Sequence, residues 1–428
     1  MSGGLAVALR ELARLPQVWR APKKSPAELE ERALTGLNAM LVHCHEHVPA
    51  YAGAEYKLPL SSVGELAALP LLTKRDVLDA GVESFRTPGL PPSQYRVDLT
   101  SGTTGTKLEV WHDADAYGYH GATVLRRFLL SGYRPWWRIA HIKPFPRPVR
   151  WFQRLGLFPR TVVGAGQSDE EIKNQVLAVR PQLVMGYPVV LRGLLRSLTS
   201  AESTRLKRTL RMVMTDSELL TDEVAGLLAD GFDVPVLDEY SAYEVLTVSS
   251  QCRSGAMHVD DDRVWLEIVD ADGQPVPLGT EGSVVVTHYR ERAMPLIRYA
   301  LGDRAVLLPP GCACGSNLRR MKLVDGRTND FILLPGGRRV YSGVFLSLAM
   351  FTPGVAECMV RQDSAGAITV HLVPEVAAGV SFDEAVAEFR RRFGELVDAP
   401  VELTFMQTDR VELTPGGKGR FVESAYGG

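Results

Sequence analysis

Apolar and polar positions alternate with a helical period from Ala27-Glu28-Leu29-Glu30-Glu31-Arg32-Ala33-Leu34 to Val42, stopping short of Val48-Pro49, and predict an amphipathic helix there. The basic, Pro-containing segment before Ser25 shows no comparable pattern. Leu69-Pro70-Leu71-Leu72 leads into a short helix that Thr73 can cap. The period then shortens to two. Tyr95-Arg96-Val97-Asp98-Leu99 and Leu108-Glu109-Val110-Trp111 alternate as strands do, on either side of a Gly/Thr-rich loop. Beyond it, helical and strand-like stretches take turns: a helix over 116–131, a strand over 138–142, a helix over 169–179, a strand over 182–185, a helix over 189–198, a strand over 210–214, a helix over 221–229 and a strand over 234–238. Repeated βα units predict a mostly parallel sheet, with ligands at the carboxyl ends of its strands. Gly186-Tyr187-Pro188, Thr215 to Glu218 and Glu239-Tyr240 are the loop ends that would converge there.

The texture changes after Tyr243. Val264 to Val269, a turn at Asp272-Gly273, and Gly282 to Thr287 describe a β-rich subdomain. After Asp325-Gly326-Arg327 come a helix over 344–350, a strand over 368–373, an Arg-rich helix over 382–396 and a strand over 401–406. The expected architecture is therefore α/β. A large domain over 1–326 carries mostly parallel sheets and the β-rich subdomain, and a small α+β domain occupies 327–428.

Composition narrows the function classes. With 45% hydrophobic residues, 48 Lys plus Arg against 50 Asp plus Glu and a formal charge of −2, the chain has no charge bias toward nucleic acid or an anionic membrane. No apolar run has the length of a membrane span, and the N-terminus does not read as a secretory signal, so a cytoplasmic location is expected. Five unevenly spaced cysteines do not form a secreted disulfide framework.

Several short stretches carry candidate chemistry. Thr100-Ser101-Gly102-Thr103-Thr104-Gly105-Thr106-Lys107 offers hydroxyls and NH groups for a polyphosphate, although such a loop also serves as an ordinary hairpin turn. It is not a Walker loop, since only Thr103 and Thr104 separate its glycines and a strand follows it. Tyr240-Ser241-Ala242-Tyr243-Glu244, placed just past a strand end, offers an aromatic face for a base and, in Glu244, a carboxylate for Mg²⁺; its bland alternative is a loop with a solvated Glu. Asp303 after Gly302 could accept both hydroxyls of a ribose or serve as a turn residue. Lys418, in a Gly-rich loop near the end, could stabilise charge on a phosphate or lie free on the surface. Cys252, His258, Cys312 and Cys314 form two close pairs of soft ligands suited to a structural Zn²⁺, against the alternative of unrelated buried thiols. His43 and His47 share a helix face, but helix ends commonly carry His, and that reading is preferred to a metal site.

In this order, the Gly/Thr loop, the strand-end Tyr and Glu, the Gly-Asp pair, the Gly-Arg pair and the late Lys resemble the motif series of the adenylate-forming superfamily. Val48-Pro49-Ala50-Tyr51, Leu69 to Lys74, Ala293 to Tyr299 and Gly326 to Phe331 are similar to the phenylacetate-CoA ligase, coenzyme F390 synthetase and capsule-locus branch. The resemblance spans essentially the whole chain. It implies an adenylation domain over 1–326 binding ATP and substrate, and a mobile lid domain over 327–428 carrying Lys418. Thr100 to Lys107 would hold ATP phosphates and Glu244 would hold Mg²⁺. Asp303 and Arg327 would hold the ribose, and Lys418 would catalyse adenylation. Ser217, Glu218, Glu239, Tyr240, Ser241 and Tyr243 complete the expected nucleotide site, and His141, Gly186 and Tyr187 the acid pocket. Members of the branch also carry a Cys/His zinc cluster in the β-rich region.

The expected reaction is activation of a small aromatic carboxylic acid by Mg·ATP to an acyl-adenylate, with transfer to CoA or to an amine or small inorganic nucleophile. Tyr243 stands where the family motif has Thr or Ser, and Asn329 where its hinge often has Asp; Gly336 to Val340 replace the loop associated with thioester formation. These departures keep the other acceptors beside CoA. They also motivate a reading of another class, a regulatory relative that binds nucleotide without turnover. The expected partners are the acid and its acceptor, with the protein a monomer or homodimer.

Overall fold

A computed structural model describes residues 2–53, 58–91, 94–99, 108–143, 151–164, 169–216, 219–325, 331–334, 339–341, 345, 348–349, 352–375, 379–396, 401–409 and 422–426. Two compact units emerge: one formed by 1–98, 109–301 and 306–322, the other by 99–108, 302–305 and 323–428.

The first unit opens with α1 (Ser2–Arg20), in the segment where sequence periodicity predicted no element. The predicted amphipathic helix follows as α2 (Pro26–His47), started by a capping box in which Ser25 and Glu28 exchange hydrogen bonds. Thr73 and Asp76 start α3 (Lys74–Ala80) in the same way. The loop flanks form β1 (Tyr95–Leu99) and β2 (Glu109–Asp113), which pair as a two-stranded sheet. The α/β series is α4 (Ala114–Leu130), β3 (Ile139–Lys143), α5 (Trp151–Arg154), β4 (Arg160–Gly164), α6 (Asp169–Val179), β5 (Leu183–Gly186), α7 (Pro188–Ser197), α8 (Ser200–Lys207), β6 (Met212–Asp216), α9 (Asp222–Phe232) and β7 (Val236–Ala242). Then come β8 (Leu246–Gln251), β9 (Met257–Val259), β10 (Trp265–Val269), β11 (Glu281–Thr287), β12 (Tyr299–Leu308) and β13 (Arg320–Asp325).

These strands form an 11-stranded sheet in the order β10-β11-β12-β13-β9-β8-β7-β6-β5-β3-β4. Strands β4, β3, β5, β6 and β7 run parallel, and β8 and β9 continue antiparallel beyond β7. The β-rich region is thus an extension of the parallel sheet. Buried Met, Leu and Ile side chains of β3, β5 and β6 pack with Phe128 and Tyr133 into one core cluster, which anchors the strand ends that carry polar groups. Among the described residues, no helix is long and apolar enough to cross a membrane.

The second unit contains the hairpin β14 (Phe331–Leu333) and β15 (Arg339–Tyr341), and a four-stranded sheet of β16 (Val355–Gln362), β17 (Ile368–Pro374), β18 (Leu403–Gln407) and β19 (Val422–Ser424) in the order β18-β17-β16-β19. The predicted Arg-rich helix is α10 (Phe382–Leu396), connecting β17 to its parallel partner β18. Its Ala385, Phe389 and Phe393, spaced four residues apart, are buried in the core of this unit.

Three consecutive acidic residues, Asp260, Asp261 and Asp262, are buried between β9 and β10. Arg126 of α4 donates to Asp260 Oδ1 (2.8 Å), Asp262 Oδ2 (2.9 Å) and the carbonyl of Val18 in α1 (2.9 Å). Arg319, just before β13, donates to Asp261 Oδ1 at 2.8 Å. Removing one partner from a buried ion pair strands the remaining charge. Arg126→Ala is therefore expected to lower folding stability by about 3–5 kcal/mol, read as a shift of the chemical denaturation midpoint.

Candidate active site and metal centre

The carboxyl ends of the parallel strands bring together several of the expected residues. Gly186 ends β5 between β3 and β6, where a Cβ would meet Ile142 Cβ at 3.1 Å, so only glycine lets the strands approach without adjustment. Lys143, ending β3, is ion-paired with Asp216, ending β6, and its Nζ lies 4.6 Å from the ring centroid of Tyr187. His141 shares the Lys143 side of β3, with Nε2 3.8 Å from Asp216 Oδ2. Burial opposes charge on Asp216, but the Lys143 ammonium paired with it outweighs that and holds the carboxyl well below its ordinary range. Burial lowers the His141 pKa and favours the neutral ring. Thus His141 and Tyr187 meet one cluster, whereas Gly186 serves close strand packing. Asp216 belongs to the 215–218 loop end expected at this site, whereas Lys143 carried no sequence motif; its position at the end of β3, one strand away from β6, was the available signal.

The strand β7 runs farther than sequence periodicity predicted. It continues to Ala242, so Tyr240 and Ser241 lie within the strand, not past its end, because β8 pairs with it through these residues. Tyr240 is buried. The Glu239 carboxylate is ion-paired with Arg127 and accepts from Thr247 Oγ1 at 2.6 Å, and Thr247 in turn accepts from His120 Nε2 at 2.9 Å. One residue deeper, burial pushes the Asp238 carboxyl up to about 7 despite a 2.5 Å hydrogen bond from Thr215.

The turn after β7 presents Tyr243 and Glu244. Val245 N donates to Ala242 O, and Leu246 closes the turn with a left-handed φ of 62°. Tyr299 OH donates to Glu244 Oε1 at 3.3 Å, leaving the half-buried carboxylate oriented beside the exposed Tyr243. Glu244 fits a Mg²⁺ site of the kind that takes one carboxylate together with phosphate oxygens. A buried pair sets the backbone here. His112 Nε2 donates to Tyr243 O at 2.8 Å, while Nδ1 faces Glu291 Oε2 at 2.9 Å. Glu291 Oε1 also accepts from Asp113 N and Ala293 N. A donor on Nε2 leaves the Nδ1–Glu291 contact needing a proton of its own, on one partner or the other. Burial pushes the Glu291 carboxyl up to about 7; burial opposes the His112 imidazolium, but Glu291 outweighs it and holds the pKa above its ordinary value. His112 and Glu291 were not identified from sequence because isolated His and Glu residues far apart carry no spacing signal.

Asp303 lies inside β12, not in a turn, following Gly302 with φ 81°. It belongs to the second compact unit. Thr100, Ser101, Gly102, Thr103, Thr104, Gly105, Thr106, Lys107, Ser217, Glu218, Arg327 and Lys418 lie outside the described residues.

The predicted metal ligands do converge. One donor atom from each of Cys252, His258, Cys312 and Cys314 lies within 4.8 Å of the others. Cys252 and Cys312 Sγ are 3.8 Å apart, and Cys314 Sγ is 3.2 Å from His258 Nε2. His258 Nδ1 donates to Leu318 O at 3.0 Å, which leaves Nε2 as the ligand atom. Gly255 N bonds Cys252 O and Gly315 N bonds Cys312 O, each glycine at φ 77°, so two matching turns present the thiols. Three thiols and an imidazole fit tetrahedral Zn²⁺, and four protein donors make such a site structural.

No family model matches the chain. The phenylacetate-coenzyme A ligase of Thermus thermophilus is 26% identical over 340 residues, covering 75% of this chain and 74% of that one. The phenylacetate-coenzyme A ligase of Aromatoleum evansii is 26% identical over 332 residues, covering 73% and 74%. Among solved structures, 2-hydroxyisobutyryl-CoA ligase in the postadenylation state superposes with a TM-score of 0.78 at 18% identity, covering 95% of this chain and 91% of that one. The chain is thus similar to phenylacetate-coenzyme A ligases over about three quarters of its length and shares the fold of solved acyl-CoA ligases.

Metal analysis of the purified protein is expected to give about one equivalent of zinc, with Cys314→Ser losing it and melting at lower temperature. For the His112–Glu291 pair, the raised folded pKa means that stability from the bridging proton is whole below pH 4.5 and is lost as pH rises through about 7. Denaturation midpoints across this window should fall less steeply in Glu291→Gln than in the parent protein.

Proposed function

We propose that this enzyme joins a carboxylic acid to the AMP portion of ATP and then transfers the acyl group to an acceptor. The observation that carries the reading is Glu244, a half-buried carboxylate oriented by Tyr299 on the turn after β7, where the parallel strands of the sheet end. In the first step a carboxylate oxygen attacks the α-phosphorus and the bond to the bridging oxygen of the β-phosphate breaks, releasing pyrophosphate. In the second, the acceptor's nucleophile attacks the acyl carbon and AMP departs with the bonding pair. Magnesium, bound through Glu244, would neutralise phosphate charge. His112 and Glu291 fix the backbone of the turn on which Glu244 stands.

The remaining roles rest on the motif resemblance. Thr100 to Lys107 cradle phosphates, Ser217, Glu218, Tyr240, Ser241 and Tyr243 surround the nucleotide, Asp303 and Arg327 bind the ribose, and Lys418, from a C-terminal domain over 327–428, meets charge developing at the α-phosphate. A small aromatic acid is the preferred substrate class, since the relatives in this branch are phenylacetate-coenzyme A ligases. CoA is the first acceptor to test, followed by amines and small inorganic nucleophiles.

Pyrophosphate release should depend on ATP, magnesium and one member of an acid panel, and mass spectrometry with CoA and amines present should identify the product. Lys418→Ala and Glu244→Gln are expected to lower the adenylation rate by about 10²–10³-fold. ATP binding without pyrophosphate release for any acid would instead identify a regulatory nucleotide binder.

A further inference from the structure

The cluster at the ends of β3 and β6 has polar capacity that the adenylation chemistry does not use. Lys143 and Asp216 neutralise each other across the end of β5. Below them, His141 is 4% exposed, and among the described residues neither ring nitrogen has a hydrogen-bond partner; the nearest Asp216 oxygen stands 3.8 Å away, beyond hydrogen-bond reach. Met185 sits beside His141 in register, and Met214 beside Met185. An imidazole set among methionines under an ion pair cannot satisfy its donor and acceptor locally. Buried polar groups are ordinarily satisfied, and one that is not marks either a cost or a missing ligand.

We infer that His141, Lys143, Asp216 and Tyr187 recognise a hydrogen-bonding substituent, a hydroxyl or amino group, on the acyl part of the acid substrate. This deepens the ligase reading above and rests on it. A hydroxyl or amino group both donates and accepts, so it matches a neutral imidazole, whereas hydrocarbon placed there would leave both nitrogens unmade. Sites built to hydrogen-bond a substrate group reject analogues that lack it, because the site's own polar groups are then stranded.

The test compares matched acids: benzoate with its hydroxy and amino derivatives, and short alkanoates with their hydroxy derivatives. For each, kcat/KM is measured by pyrophosphate release, and binding without ATP by calorimetry. At least one substituted acid should exceed its unsubstituted partner by about 5- to 150-fold. His141→Phe should bring that ratio toward one, and His141→Gln, which keeps a donor and an acceptor, should restore part of it. Equal or better use of every unsubstituted acid by the parent protein, or an unchanged ratio in His141→Phe, overturns the inference. If His141→Phe does not fold, the parent ratio and its persistence in His141→Gln decide. If no acid is activated, the ligase reading fails and binding decides this one: a substituted acid bound more tightly than its unsubstituted partner supports it, and no such preference overturns it.

Discussion

The buried segment Asp260 to Arg263 is the junction on which the first unit depends. Its carboxylates hold Arg126 of α4 and Arg319 just before β13, and Arg126 reaches on to the Val18 carbonyl of α1. Arg263 donates to Val245 O at 2.7 Å, next to Glu244. Charges removed from water must be paired, and the geometry that pairs them admits few alternatives. Helices from the start of the chain, the antiparallel half of the sheet and the turn carrying Glu244 are thereby tied to one another.

The strand β7 is the second constraint. It runs parallel to β6 and antiparallel to β8, so it joins the βα series to the β-rich extension within one sheet. Its end therefore carries two kinds of polar residue. Glu239 is engaged by Arg127 and Thr247 and anchors the strand, whereas Glu244 projects from the turn with one recorded donor, Tyr299. A hydroxyl at position 243 is not required to hold this turn, because His112 grips the Tyr243 backbone carbonyl. The backbone support of Glu244 is thus in place whatever the Tyr243 side chain does.

Much of this was legible in one dimension. Capping at Ser25 and Thr73, the strand pair around the Gly/Thr loop, the alternating βα series and the Arg-rich helix of the second unit follow local rules of spacing and hydrogen bonding. The Cys/His cluster was also readable, because its residue types are rare and its two pairs are close in sequence. The helix before Ser25 has no such local signal, because α1 contains Pro16 and is held by a distant arginine. The strand β7 was ended too early because its last residues are polar and pair with a strand whose register the chain does not announce.

The sequence by itself determined the order of elements, the chemical series Gly/Thr loop, Glu244, Asp303, Arg327 and Lys418, and the metal donor set, since each depends on residue type and short-range spacing. Only the tertiary structure decided that three adjacent aspartates are buried, that Glu239 is ion-paired with Arg127, that His112 and Glu291 form a buried pair, and that Lys143 meets Asp216 above a buried His141. Those facts depend on which strand lies beside which. Long-range pairing sets burial and partner, and burial and partner set the charge and the chemistry of each group.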